Sequence, residues 1–335
     1  MRFGPVPLAQ ASGAILAHSC ALPGGKLKKG IVLGEAEIGA LHAAGITQVT
    51  VARLEAQDVG EDAAAQQLAE ALVPDPAAAG LRLGAAATGR VNLHATGPGL
   101  VEMDVPAIHA LNRVDPAITF ATLAPLMRVT RGMLVGTVKI ISYGVARRQL
   151  QAACGAGQGA LRIRPVARRS AGLLLTRVPG QPDKLNAKAQ KVMAARLEAL
   201  GMELADVVEV AHEQAAMAAA LSGLGGEMLL ILTGSATSDL HDVAPEAVRA
   251  AGGQVNRFGM PVDPGNLLFT GALDARPVIG LPGCARAPAL NGADWVIERI
   301  ACGLELGDDD IAAMGVGGLL KEIPTRPRPR ESRAG

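Results

Sequence analysis

MLLILTGSATSDLHDVAPEA, residues 228–247, opens on five apolar residues in succession and closes on the start of a helix. A short run that is apolar at every position, with Gly225 and Gly226 before it, reads as a strand buried on both faces. Asp242 is a natural N-cap for the segment that follows, and Gly252 and Gly253 stop that helix. Strand, turn and helix in this order form the unit of a doubly wound parallel sheet, which binds ligands beyond the carboxyl ends of its strands. The turn itself carries four hydroxyls, Thr233, Ser235, Thr237 and Ser238, and Gly234 lets backbone amides come close to a ligand. The following helix start favours a phosphate or another anion.

The same alternation runs outward in both directions. Before the stretch, residues 170–178 read as an apolar strand, 183–200 as an amphipathic helix stopped by Gly201, 207–210 as a strand and 212–221 as a helix. After it, 277–281 reads as a strand and 289–302 as a closing helix, so the turn after Leu281 is a second place for a ligand. The first half is less regular. Residues 34–44 and 61–73 read as helices, and 47–53 and 133–142 as strands. The glycines of CGAGQG, 154–159, follow a helical pattern rather than a strand, so a dinucleotide loop is not expected there. The expected architecture is α/β: an N-terminal α+β domain over 1–167, a doubly wound, mostly parallel α/β domain over 168–307, and a Pro/Arg-rich tail over 308–335.

Composition removes several function classes. Six aromatic residues in 335 leave little for stacking single-stranded nucleic acid, and a net charge of +1 supplies no global attraction for nucleic acid or membrane. No apolar stretch is long enough to span a bilayer, and the N-terminus lacks the apolar core of a secretory signal. Cys20, Cys154, Cys284 and Cys302 are scattered and the six histidines form no ligand spacing, which suits a reducing cytoplasm and predicts no protein-held metal. Charge is nevertheless uneven. Residues 128–169 hold nine basic groups and no acid, either a solvated face or a surface for an anionic partner.

The central turn resembles the molybdopterin-binding domain of molybdenum-cofactor biosynthesis proteins. Thr233, Gly234 and the DVAPEA run from Asp242 to Ala247 fall in register with the TGGTGxxxxDVTPEA loop of the molybdopterin adenylyltransferases. GMPVDPGNLLFTGALDARPVIGLPG, 259–283, is similar to the molybdopterin molybdenumtransferases, where a PG turn precedes a hairpin and a GLPG turn. The likeness covers roughly 168–304. A weaker one extends over the first half, in VGEDAAAQQLAEAL, TGRVNL and GTVKIISYGV, to a subfamily often fused ahead of a cofactor nucleotidyltransferase domain. No such domain is expected here, and LLKEIPTRPRPRESRAG reads as a disordered end or docking segment.

The resemblance implies a molybdopterin ligand held by Thr233, Gly234, Ser235, Ser238, Pro282 and Gly283. Asp242 is then the candidate catalytic residue and Mg²⁺ a candidate companion ion. It also implies a cytoplasmic homo-oligomer whose partners are the pterin and a cofactor nucleotidyltransferase or molybdoenzyme. Several positions depart from the family. Ser235 replaces a glycine, Asp263 and Asn266 replace two lysines, His212 and Glu213 stand in for an acidic pair, and Cys284 and Ala285 replace an Asn-Pro. Arg286 restores one charge nearby. Binding or delivery of the pterin is therefore the leading expectation, with an active transferase or a degenerate scaffold as alternatives. Cys284 is expected to pack as a small hydrophobe, His241 to face solvent, and Asp308 to Asp310 to form a solvated link.

Overall fold

The computed structural model describes residues 1–263 and 265–320. The chain divides into two compact units, one of Met1–Gly97 with Val101–Arg164, the other of Pro98–Leu100 with Pro165 onward.

The second unit is built on a six-stranded sheet. Its strands are β1 (Ser170–Arg177), β2 (Glu203–Ala211), β3 (Leu229–Leu232), β4 (Gln254–Met260), β5 (Asn266–Leu273) and β6 (Arg276–Gly280), in the order β2-β1-β3-β6-β5-β4. β1 pairs in parallel with both β2 and β3, and β3 with β6, while β5 runs antiparallel to its two neighbours. The sheet is therefore mixed and mostly parallel. The apolar runs occupy its middle because only there are both faces covered. Leu173, Leu175, Leu230, Leu232 and Ile279 pack into one core, and Leu174, Leu229, Ile231 and Val278 into the other. Successive side chains alternate between the two.

Among the described residues, five α-helices complete the unit: α1 (Lys184–Glu198), α2 (Gln214–Gly223), α3 (Val243–Ala250), α4 (Gly292–Ala301) and α5 (Asp308–Ala313). Asp308 to Asp310 were expected as a solvated link. They form instead the first turn of α5, where carboxylates favour the helix N-terminus, and Ile311 behind them is fully buried. Asp308 also pairs with Arg257 at 3.0 Å. The Pro/Arg segment from 321 lies outside the described residues.

The first unit is β-rich. A four-stranded antiparallel sheet of Ile118–Thr122, Leu134–Ile140, Arg90–Ala95 and Leu81–Leu83 packs with helices Glu61–Leu72, Val105–Val114 and Arg147–Ala156. Arg2–Pro7, Gln48–Arg53 and Ile15–Leu16 form a separate sheet over a second, smaller core. Gly157 caps the helix Arg147–Ala156, so the glycines of CGAGQG end a helix.

Of the nine cations in the acid-free stretch, at least four are engaged inside the fold. Arg162 and Arg164 share Glu102 at 2.9 Å each. Lys139 lies 3.7 Å from Glu61, and Arg168 donates to the carbonyls of Ile300 and Glu227. The two guanidinium groups hold the Glu102 carboxyl below its usual range, the Arg162 hydrogen bond contributing most.

Candidate functional site

Register brings the two ligand turns together. Leu229 stands opposite Val278 and Ile231 opposite Gly280, and the Leu281 amide continues the ladder to the Ile231 carbonyl at 2.8 Å. Thr233 and Pro282 therefore leave the sheet side by side at its carboxyl edge. Gly280 is needed for this packing: a Cβ there would come within 1.9 Å of the Phe269 ring on β5.

The turn after β3 is tied down internally. The Gly234 amide donates to the fully buried Thr176 hydroxyl at 2.7 Å, and a Cβ on Gly234 would meet Gln181 Oε1 at 2.5 Å and the Thr176 carbonyl at 3.0 Å. This glycine thus lets the loops after β1 and β3 pack together, and its N–H is spent on Thr176. The Thr176 hydroxyl also lies 3.0 Å from Nδ1 of His212. The Thr233 hydroxyl donates to the Ser235 carbonyl.

Asp242 caps α3. One carboxylate oxygen accepts from the Val243 amide at 2.7 Å and the other from the Ser238 amide at 2.8 Å, closing the loop on itself. His241 is exposed, with its ring 3.0 Å from Glu246, and this contact is the main reason the Glu246 carboxyl titrates low. Among the described residues, no three His, Cys, Asp or Glu side chains come together to hold a metal ion.

A cleft of about 210 Å³ opens between the turns. Ala236 and Thr237 contribute from the first turn, Pro282, Gly283 and Cys284 from the second, and Asp263 and Asn266 from the loop that enters β5. Of the sequence candidates, Pro282 and Gly283 line it, whereas Thr233 is buried and Asp242 is committed to backbone amides. Cys284, expected to be packed away, is exposed at the rim because the short 3₁₀ turn Gly283–Arg286 buries Ala285 instead. Asp263 and Asn266 stood out in the sequence only as replaced lysines. Their burial, at 9% and 6% exposure, comes from long-range packing that no local pattern announces.

Two groups here have unused hydrogen-bonding capacity. Asn266 Oδ1 accepts from the Leu268 amide at 3.1 Å, which fixes the orientation of the amide, and its buried Nδ2 has no partner. Arg286 donates one Nη to the Thr233 carbonyl, its Nε is buried without a partner, and no carboxylate pairs with it among the described residues. Its other Nη lies 3.8 Å from where a Cβ on Gly283 would be. Burial lowers the Arg286 pKa, yet a guanidinium stays charged near neutrality. A wider cleft of about 630 Å³ lies over the ends of β1 and β2, lined by Arg177, Gln181, Glu209, His212 and Glu213 among others.

The fold and the placement of the clefts define an α/β domain with a ligand crevice at the carboxyl edge of its sheet. Residues 173–301 match the family described as "probable molybdopterin binding domain". Residues 5–53 match a domain of unknown function (DUF8806). No curated protein matches the chain. Among solved structures, a molybdopterin biosynthesis MoeA protein from Pyrococcus horikosii is 11% identical, with a TM-score of 0.31, over 90% of this chain and 75% of that one. A molybdenum cofactor biosynthesis protein from Pyrococcus furiosus is 11% identical, with a TM-score of 0.24, over 93% of this chain and 65% of that one.

Proposed function

We propose that the second unit binds molybdopterin as cargo in the biosynthesis or delivery of the molybdenum cofactor. The phosphate would lie at the paired turns, against Gly283 and the guanidinium of Arg286. Thr233, Gly234, Ser235 and Ser238 shape the loop, and Pro282 and Gly283 form the wall facing the ligand. The observation that carries this reading is Arg286, a half-buried cation with no carboxylate partner among the described residues, fastened where two parallel strands end side by side. Burying an unpaired charge is costly, and an anionic ligand offsets that cost.

Binding and delivery are favoured over transfer chemistry by the state of Asp242. Each of its oxygens already accepts a backbone amide, which is the work of a cap and a loop clasp. The protein would work as a cytoplasmic homo-oligomer that passes the pterin to a nucleotidyltransferase or a molybdoenzyme. The test is titration of wild type and Arg286→Met with molybdopterin, with and without Mg²⁺. Affinity that falls tenfold or more in the variant, with no Mg²⁺ dependence, supports the reading. Equal affinity removes Arg286 from the site, and Mg²⁺-dependent binding or turnover would favour a transferase.

A further inference from the structure

The connection that carries Arg286 is held from outside by a second arginine. Between β6 and α4 the chain has only the 3₁₀ turn Gly283–Arg286 as regular structure. That turn uses its own amides: Ala285 N–H donates to the Pro282 carbonyl at 2.9 Å and Ala287 N–H to the Cys284 carbonyl at 3.0 Å. The carbonyls of this connection converge instead on Arg196 of α1. Nη1 donates to the Ala285 carbonyl at 2.8 Å, Nη2 to those of Ala287 at 2.8 Å and Ala289 at 3.2 Å, and Nε to Asp294 in the first turn of α4. The other Asp294 oxygen accepts the Asn291 amide at 2.8 Å, and both side chains of the Arg196–Asp294 pair are only 11% exposed. A planar guanidinium fork can reach several acceptors at once, which a single ammonium cannot.

Ala285 and Ala287 flank Arg286. Fastening both of their carbonyls to α1 fixes the backbone on either side of that residue, while its side chain reaches the Thr233 carbonyl at the end of β3. Arg196 itself is absent from the described linings of both clefts. We propose that Arg196 is a positioning residue for the phosphate end of the ligand: it acts through Arg286, by clamping the connection on both sides of it, and does not touch the ligand. This role rests on the cargo reading above and extends it from the residue that meets the phosphate to the one that fixes where that residue stands.

The test uses two changes at this clamp in the full chain. Arg196→Lys keeps a charge for Asp294 but loses the fork that reaches the carbonyls on both sides of Arg286. Arg196→Met combined with Asp294→Asn removes both charges, so neither is left buried alone, and the new amide oxygen can still accept the Asn291 amide. Each is titrated with molybdopterin well below its melting temperature, with and without Arg286→Met, and hydrogen exchange over residues 284–290 is followed without ligand. Either change should weaken binding about tenfold when Arg286 is present and less than about twofold when it is absent, because the substitutions act on one interaction. A role in stability alone would lower the melting temperature and leave both affinities unmoved. Amides over 284–290 should exchange faster than in wild type while those of β3 and β6 stay protected. If Arg196→Lys does not accumulate, the charge-free combination decides.

Wild-type affinity in a folded variant, equal losses with and without Arg286, or unchanged exchange over 284–290 would each overturn the positioning role. If molybdopterin binding still depends on Arg286, the cargo reading survives that failure. If wild type does not bind molybdopterin, or Arg286→Met binds it equally well, both fall.

Discussion

Arg286 and Asp242 carry opposite expectations although both lie at the same sheet edge. Replacing Arg286 by Met removes a half-buried charge along with one hydrogen bond to the Thr233 carbonyl, so the melting temperature should move little while phosphate-dependent ligand affinity falls. Thermal melts run beside the titration separate these effects. Asp242→Asn should preserve stability, since Asn caps nearly as well, whereas Asp242→Ala should cost about 1 kcal/mol through loss of the cap, more if the Ser238 clasp is also felt. Chemical denaturation of the two variants measures this directly. A large loss in Asp242→Asn would mean that the carboxylate does more than cap. At this scale the sequence was informative about residue type and poor about commitment. Asp242 was legible as a cap, but that its second oxygen holds the Ser238 amide was not, because this depends on how the loop folds back. Gly234 was legible as a close-approach glycine; its neighbour turned out to be Gln181 and Thr176.

At the scale of elements, the strands that showed clearly are those covered on both faces. β3 and the middle of β1 are continuously apolar because neighbouring strands and both cores surround them. β4 was not read as a strand. It is the sheet edge, QVNRFGM carries charge and a glycine, and its register with β5 is twice irregular, so no period-2 signal survives. The short strands of the first unit, several of two or three residues, leave too little sequence to show a period. The junction of β5 and β6 gives a sharp prediction. Gly280→Ala would drive a methyl group into the Phe269 ring, whose atoms lie within 1.9–2.5 Å of that position. The variant should be destabilised by several kcal/mol or fail to accumulate. The double variant Gly280→Ala with Phe269→Leu should recover part of the loss, as read by denaturation midpoints. Absence of any rescue would show that the backbone, not the ring, sets the constraint.

For the molecule as a whole, part of the basic stretch is neutralised within the fold. Glu102, from outside that stretch, takes two of its arginines, and its lowered pKa has a definite sign. A carboxylate that titrates below its unfolded value of ~4.3 adds stability above that pH, and the contribution disappears as pH falls through the folded value. Glu102→Gln should therefore melt lower than wild type at pH 6, and the gap should close under acid conditions. A gap independent of pH would mean that packing, not ionisation, is responsible. We propose above that the second unit carries a pterin whose phosphate is met by Arg286. Native mass spectrometry of the full chain, purified from a host that makes the cofactor, tests it most directly. Wild type should carry one mass of molybdopterin or its derivative per chain, largely absent from Arg286→Met of equal melting temperature. Wild type that neither retains a pterin nor takes one up from added molybdopterin would show that the second unit does not hold this cargo.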